Sequence, residues 1–268
     1  NYNTPILLSQ ILKNPSLEIF APIIIICVEE GAHCSLIEDL DFESAVFYNP
    51  RIEVIVKDNA SLNFTSIQHI SENGKYLGRH TFQMGRDSKL QAFYAFGGAS
   101  NSRLDMDCLF KQPGAEASIK GIYLGSKDRC IDFHPTQEHL SPHCSSNLYY
   151  KGALKDFSRA VYYGMIRVAE GADKTDAYQK NRNLLLSEEA RIDTVPNLEI
   201  RADDVKCSHG ASAGQVGAEE LFYLMTRGLS QKEAEKLLVE GFFEDLIDEL
   251  EEATHERIAR IVKEYLNG

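Results

Sequence analysis

The sequence predicts a mainly β protein: a right-handed parallel β-helix (solenoid) followed by a small C-terminal α-helical domain. Three observations support this fold class. Turn-forming clusters recur about every 28 residues, the segments between them alternate with a period of two, and helical spacing replaces that alternation after Gly217. We predict a remnant N-terminal segment over residues 1–20, the β-helix over 21–216 and the helical domain over 217–268.

The repeat is marked by a small residue that follows a cluster of turn formers and precedes a β-rich run. This small residue falls at Ala32, Ala60, Ser88, Ala115 and Ala172, with Cys144 at the place of a skipped repeat and Ala202 beyond the last. A fixed period of this size indicates a solenoid, in which each coil stacks on the next and buries a continuous core.

The segments between the turns alternate apolar and polar residues, as in Ile52, Val54 and Val56. Two strands of about seven residues and two turns would fill one coil. An antiparallel sandwich with evenly spaced turns would show the same alternation, so it is the alternative fold. The apolar run over residues 23–27 is predicted to form a buried strand.

The C-terminal region has the signals of helices. Gly228 is a natural stop for a first helix, and Ser230 with Glu233 forms a capping box that begins a second. Gly241 lies inside that second helix, which predicts a close contact there because glycine costs about 1 kcal/mol relative to alanine. Residues 217–268 carry 13 acidic and 6 basic residues. This charge fits either a solvated face of a capping domain or a docking surface for a basic partner.

Composition excludes several classes of function. A net charge of −12 argues against non-specific nucleic-acid binding, because Lys and Arg are not in excess to neutralise phosphates. No apolar run approaches the roughly 20 residues that span a membrane. The six cysteines are scattered, and no signal peptide is evident, so a reducing compartment is expected: the cytoplasm, or a plastid stroma.

Several blocks in the second half of the chain resemble the core motifs of the SufB/SufD family of iron–sulfur cluster assembly scaffolds. They are residues 151–156 (KGALKD), 174–179 (KTDAYQ), 181–187 (NRNLLLS), 196–200 (PNLEI), 202–211 (ADDVKCSHGA), 221–224 (LFYL) and 227–228 (RG). The block around Cys207 and His209 is more similar to the D-type members than to the B-type. Upstream, residues 21–150 resemble the family's β-helix more loosely.

The resemblance implies a non-enzymatic scaffold subunit of the SUF complex. Such a subunit pairs with a SufB-type subunit through its β-helix and binds a SufC-type ABC ATPase through its C-terminal helices. It implies no tightly bound cofactor in the isolated chain, a transient Fe–S cluster in the complex, and no nucleic acid or membrane as partner. A homodimer is possible when the chain is isolated.

The resemblance also makes His209 the residue expected at the cluster-forming interface. A neutral imidazole is a good ligand for iron, and a thiolate suits iron or sulfane sulfur. Cys207 lies two positions away and would face the same side of a strand. Either residue could instead pack inside the terminal coil.

Two further sets of residues are candidates for binding. The apolar residues of the helical region expected to dock the ATPase are Leu221, Phe222, Leu224, Leu237, Leu238, Phe242 and Phe243. His134, His139 and His143 are weak metal-ligand candidates, because their spacing fits no common zinc or haem pattern.

Two other functions are alternatives. A β-helix enzyme acting on polysaccharide would need acids and a base on one exposed sheet, and the sequence shows no such cluster. A structural adaptor without cluster chemistry would share the predicted fold.

Overall fold

The computed structural model describes residues 5–12, 18–43 and 45–267. Within them the chain is 55% strand, wound into a parallel β-solenoid of about seven turns, with three helices at the C-terminal end. The strand pairs are parallel, which confirms the predicted solenoid and excludes the antiparallel sandwich. No helix in the described ranges is long and apolar enough to cross a membrane.

Two sheets form the walls of the solenoid among the described residues. Sheet A has eight strands: β1 (Ile6–Leu12), β4 (His33–Phe42), β7 (Ser61–Ile70), β9 (Lys89–Gly98), β11 (Glu116–Gly125), β13 (Ser145–Leu154), β16 (Asp176–Leu185) and β19 (Lys206–Gln215). Sheet B has eleven shorter or bent strands: β2 (Glu18–Phe20), β3 (Ile23–Val28), β5 (Val46–Tyr48), β6 (Arg51–Val56), β8 (Lys75–Met84), β10 (Asn101–Phe110), β12 (Cys130–His139), β14 (Arg159–Tyr162), β15 (Met165–Val168), β17 (Arg191–Thr194) and β18 (Asn197–Ile200).

The solenoid begins earlier than the sequence predicts. β1 pairs with β4 and β2 pairs with β5, so strands already form within the region predicted to be a remnant segment. The remaining parts of that region, residues 1–4 and 13–17, lie outside the described residues, as do Ser44 and Gly268. The strand over Ile23–Val28 is also less buried than predicted, because Ile23 and Ile25 are about 70% exposed on its outer face.

The small residue of each repeat lies at the corner where the chain enters sheet A. Ala60, Ser88, Ala115 and Cys144 each precede a strand directly, and all four are buried. The backbone N–H that begins the sheet A strand of one coil donates to the backbone carbonyl of the small residue in the preceding coil. Lys89 N, for example, donates to the Ala60 carbonyl at 2.9 Å. A small side chain fits here because successive coils lie only about 4.8 Å apart.

Ala172 is buried and closes a turn as Ala60 does, its amide donating to the Ala169 carbonyl at 3.2 Å, but it does not occupy the corner position directly before the strand. Asp176 N donates to the Cys144 carbonyl at 3.0 Å, so Thr175 occupies the corner position. The turn before β16 is longer than the earlier ones. The Thr175 hydroxyl closes it by donating to the Ala172 carbonyl at 2.8 Å, and both residues are buried.

Aromatic rings form a continuous column inside the solenoid. The ring centroids along this column are 6.0 Å apart for Tyr48–Tyr76, 6.1 Å for Tyr76–Phe96, 4.5 Å for Phe96–Phe133, 5.6 Å for Phe133–Tyr150 and 6.2 Å for Tyr150–Tyr162. These separations are those of interacting aromatic pairs, each of which adds about 0.5–1.5 kcal/mol beyond the burial of its area. The column therefore ties together the coils between Tyr48 and Tyr162.

The helices complete the fold. α1 (Ala218–Thr226) ends at Gly228, whose φ is +99°, and α2 (Gln231–Ile247) begins with the predicted capping box of Ser230 and Glu233. α3 (Glu252–Asn267) follows. α2 and α3 pack on the outer face of sheet A rather than extending from its end. The packing residues are Val239, Phe243, Leu246, Ile258, Ile261 and Val262 from the helices and Ile67, Phe93, Ala95, Ile122, Leu124 and Ala153 from the sheet.

A buried lysine anchors α2 to sheet A. Lys151 is 3% exposed, forms an ion pair with Asp245 and donates to the Phe242 carbonyl at 2.5 Å. Its ammonium also lies 4.8 Å from the centre of the Phe242 ring. Because an unpaired buried charge is costly, these contacts fix the position of the helix.

The predicted close contact at Gly241 is wrong. A Cβ built on Gly241 would meet no atom within 4 Å, and the residue is exposed. Replacing Gly241 by Ala should therefore raise the free energy of unfolding by about 0.5–1 kcal/mol, because alanine has the higher helix propensity. Urea unfolding would measure the change. As a contrast, Gly228→Ala should destabilise the protein, since the φ of Gly228 is positive; a loss in both variants would contradict this account.

A buried carboxyl interrupts the apolar core. Glu38 on β4 is fully buried; the Ser66 hydroxyl donates to its Oε2 at 2.7 Å, and its Oε1 has no partner among the described residues. Burial raises the pKa of Glu38 to about 7. The folded protein therefore keeps a proton on Glu38 between about pH 4.5 and 7, where the unfolded chain releases it, so the free energy of unfolding falls as the pH rises through this range.

Glu38→Gln should remove this loss, because an amide cannot ionise and still accepts the hydrogen bond from Ser66. At pH 8 the variant should be more stable than the parent protein, by an amount on the order of 3 kcal/mol, and the difference should vanish near pH 4.5. Urea unfolding at both pH values would measure it. Glu43→Gln, at an exposed carboxylate, is the control. An equal pH dependence in the parent and Glu38→Gln would show that Glu38 does not titrate in this way.

Candidate functional site at the end of the solenoid

The last strand of sheet A has a free edge. β19 pairs with β16 on one side, and no described strand pairs with its other side. Nine of its ten residues are exposed, Cys207 being the exception. An edge of this length presents a row of unpaired backbone N–H and C=O groups, and such an edge is a template for a strand from another chain.

The structure places both predicted site residues on this strand. His209 pairs in register with Gln179 and Cys207 with Ala177, so both lie on the side that continues the interior of the solenoid. His209 is exposed because no further coil covers it, and its ring has no hydrogen-bond partner among the described residues. The imidazole is therefore free to bind a ligand.

Cys207 is less available than His209. Its side chain is half-buried against the small apolar cluster of Ile166, Val168 and Ala177. Burial raises the pKa of the Cys207 thiol, which keeps it protonated at neutral pH. Since the thiolate is the nucleophile and the metal ligand, Cys207 is a poorer ligand than His209 in this conformation.

Small residues follow His209 along the free edge. Gly210, Ala211, Ser212, Ala213 and Gly214 are all exposed, and a Cβ built on either glycine would meet no atom within 4 Å. No bulky side chain covers this backbone, so another strand can approach it closely.

A buried polar row lies directly beneath the exposed strand. Gln179, Asn181 and Asn183 of β16 all face inward and are at most 4% exposed. Asn183 donates to the Ser212 carbonyl at 3.2 Å, and Asn181 donates to the Tyr123 hydroxyl at 3.2 Å. This network holds β19 against the coil before it and so positions the edge.

The three histidines proposed as weak metal ligands are not brought together. His134 lies on the outside of sheet B, 2.8 Å from Asp132 and stacked on Tyr163. His139 points inward, stacks on the Phe110 ring at 4.2 Å, and burial lowers its pKa to about 4. His143 is exposed in a turn. No group of three or more His, Cys, Asp or Glu residues in the described ranges could hold a metal ion.

The outer face of sheet B carries carboxylates, and arginines form ion pairs with several of them. Arg79 pairs with Asp107 at 2.7 Å, and Arg103 pairs with Asp105 and Asp132 at 2.8 Å each. A general acid and base for polysaccharide cleavage need carboxyl groups that are free to exchange protons. These ion pairs do not favour the polysaccharide-active alternative.

The predicted docking residues divide into exposed and buried sets. Phe222 on α1 is 68% exposed and Leu237 on α2 is 49% exposed, whereas Leu221, Leu224 and Leu238 are half-buried. Phe243 is fully buried against sheet A, and Phe242 is half-buried beside Lys151. Neither phenylalanine is fully available to a partner in this conformation. The sequence predicts both as docking residues, because helical periodicity does not show which face of α2 packs against sheet A.

Two exposed apolar residues were missed. Tyr223 and Met225 on α1 are 56% and 42% exposed, and no residue of α1 is buried. The sequence contains the signal for this exposure. A short helix with apolar residues on several sides cannot bury all of them against one neighbour, so some must be exposed. Phe222, Tyr223, Met225 and Leu237 are the large exposed apolar residues of α1 and of the first half of α2, and this set is here called the α1 patch.

Comparison with known proteins identifies the family. Residues 11–242 match the family model described as "SUF system FeS cluster assembly, SufBD core domain". The iron-sulfur cluster assembly protein SufD of Escherichia coli is 30% identical over 223 residues, which cover 82% of this chain and 53% of that protein. SufD of Bacillus subtilis is 30% identical over 232 residues, covering 85% and 53%.

A chloroplastic protein of Arabidopsis thaliana is 28% identical over 240 residues, covering 88% of this chain and 50% of the relative. The chain thus spans about half the length of the curated relatives it matches. The match extends over most of the solenoid, the terminal strand with His209 and the first half of the helical region, so the chain belongs to the SufBD family of the SUF iron–sulfur cluster assembly system.

Proposed function

We propose that this chain is a SufD-like, non-catalytic scaffold of iron–sulfur cluster assembly, acting in the cytoplasm or a plastid stroma. The observation that carries the proposal is the free edge of β19, which presents an unpartnered imidazole at the end of a rigid solenoid. Family membership supports a role in the SUF system. The chemistry of the site supports a binding role, because His209 is a borderline ligand with no partner within the described chain.

The proposed partner at the free edge is a SufB-type subunit. Adding its strand to β19 would satisfy the unpaired backbone groups, and the small residues from Gly210 to Gly214 would let the two backbones approach. A second copy of this chain could use the same edge, which would give a homodimer when the partner is absent. In either case His209 would lie at the junction between two chains.

The Fe–S cluster would form at this junction and then leave it, so it is a substrate and not a resident cofactor. We propose that His209 contributes one ligand to iron while the cluster forms, and that the partner supplies the thiolates. Cys207 is the weaker candidate because its thiol is half-buried and protonated. A conformational change that exposes it would be needed before it could bind iron or accept sulfur.

The proposed second partner is a SufC-type ABC ATPase, bound through the α1 patch. Its four apolar residues lie on a region rich in acids, an arrangement that provides apolar anchors for affinity and charge for orientation. α2 continues from this patch to the Lys151 anchor on sheet A. A force applied at α1 would therefore reach the solenoid by two routes: through α2, and directly through the two residues that join α1 to β19.

His209→Ala should lower the yield of Fe–S cluster at least tenfold in the complex reconstituted anaerobically with the SufB-type and SufC-type partners. The physical reason is the loss of a ligand at the junction, while the backbone edge is kept. Visible absorbance of the cluster and size-exclusion chromatography of the complex are the two measurements. His33→Ala, at an exposed histidine near the far end of sheet A, is the control and should have no effect. An unchanged cluster yield in the variant would remove His209 from the mechanism. If the parent protein formed an intact complex that contained no cluster, the adaptor alternative would be favoured.

Phe222→Ser with Leu237→Ser should weaken binding of the ATPase at least tenfold, because two exposed apolar anchors are lost. The dissociation constant can be measured by calorimetry with purified ATPase. Phe157→Ser is a matched control, since Phe157 is 66% exposed in a turn outside the α1 patch. Equal affinity for the parent and the double variant would place the ATPase elsewhere.

A further inference from the structure

A cleft lies between the last turns of α3 and the corner where the chain leaves sheet A. Its volume is about 420 Å³, within the range of small-molecule sites. The stacked turns of four successive coils form its floor, and Ile261, Glu264 and Tyr265 of α3 form one wall. α3 comes close here because Gly97 has no side chain: a Cβ at this position would lie 2.8 Å from the Ile261 side chain.

The acids that line this cleft have partners. Glu72 forms an ion pair with Lys127, and Glu264 lies 3.8 Å from the His69 ring. The Asp156 carboxylate accepts a hydrogen bond from the Lys127 backbone amide at 2.8 Å. Each acid therefore interacts with a group at the rim.

Two cations in the same cleft form no ion pair within the described residues. Within the described parts of the chain, Arg129 forms no ion pair and no side-chain hydrogen bond, and its Nε is buried. The Lys155 ammonium donates only to the neutral backbone carbonyl of Tyr265, at 2.7 Å, and lies 4.8 Å from the centre of that ring. The Tyr265 hydroxyl is a third buried donor without an acceptor in the described chain.

Burial shifts the pKa of both cations. It lowers the pKa of Arg129, against the opposing effects of Glu72, Tyr265 and Asp128. It also lowers the pKa of Lys155, which the cations Lys232, Arg129 and Lys236 lower further, against the opposing effect of Asp156. The neutral form of each side chain is therefore more favoured in the protein than in water, whereas an ion pair would favour the charged form.

We propose that the cleft binds a small molecule that carries a phosphate-type oxyanion, held by Arg129, Lys155 and the Tyr265 hydroxyl. The planar guanidinium provides a fork for two oxygens, the ammonium provides a point charge and the phenol provides a neutral donor. An ordered water could accept these hydrogen bonds, but it would leave both charges unneutralised. An oxyanion would satisfy the donors and the charges together.

This site is separate from the free edge of β19 and from the α1 patch, so the proposal does not depend on the proposed function. Its position suggests a consequence for the fold. Lys155 already holds the last turn of α3, so a bound oxyanion would add a link between α3 and the solenoid. Binding should stabilise the folded protein according to the ligand concentration and affinity.

Isothermal titration of the whole chain with inorganic phosphate, at constant ionic strength set by chloride, tests the proposal. We expect saturable binding with one site. Titration with glycerol phosphate distinguishes free phosphate from a phosphate ester, and tighter binding of the ester would identify the larger ligand class. The absence of saturable binding of both ligands would overturn the proposal.

Arg129→Gln and Tyr265→Phe should each weaken the binding, the first at least tenfold, because the first removes a charge and the second removes only a hydroxyl. Arg86→Gln is the matched control, since Arg86 is an exposed arginine in a turn at the opposite corner of the solenoid. Because Tyr265→Phe keeps the buried ring, a loss of binding in this variant cannot be attributed to unfolding of α3. Unchanged affinity in both variants would place the anion elsewhere and overturn the assignment.

Discussion

The parallel backbone ladder between successive coils is the constraint on which the rest of this structure depends. Each strand of sheet A pairs with the equivalent strand of the next coil, so every inner strand has both edges satisfied. The pairing cannot continue beyond the last coil. β19 therefore leaves one row of backbone donors and acceptors without partners in the described chain, and this edge carries His209. The proposed site is thus a direct result of ending a solenoid.

The interior of the solenoid makes that edge rigid. The aromatic column runs from Tyr48 to Tyr162, and the buried polar row of Gln179, Asn181 and Asn183 continues it to the level of the terminal strand. Asn181 bonds to the Tyr123 hydroxyl and Asn183 to the Ser212 carbonyl of β19, so shifting β19 would break the Asn183 bond together with its backbone ladder to β16. A scaffold that must present a ligand at a fixed place between two chains benefits from this stiffness.

The helices divide the surface into parts with different roles. α2 and α3 cover sheet A and are held by Lys151 and by the apolar contacts around Phe243, while no residue of α1 is buried and its Phe222, Tyr223 and Met225 are exposed. The charges follow the same division. On sheet B they form paired rows of arginine and carboxylate, but under α3 the cations Arg129 and Lys155 form no ion pair within the described residues. Exposed apolar residues and these unpaired cations thus occur at separate places, which suits separate ligands.

The sequence by itself determined the repeat, the parallel solenoid, the switch to helices, the capping box at Ser230 and the strand that carries His209. These follow from local chemistry, since turn residues, alternation and caps act within a few positions of the chain. Only the tertiary structure decided which way Gln179, Asn181 and Asn183 point, that Thr175 replaces Ala172 at a corner, and that Phe243 is buried while Phe222 is exposed. It also brought Arg129, Lys155 and Tyr265 together from separate coils and a distant helix. The physical reason is that burial and charge pairing depend on which surfaces meet across the fold, and a local pattern does not specify those partners.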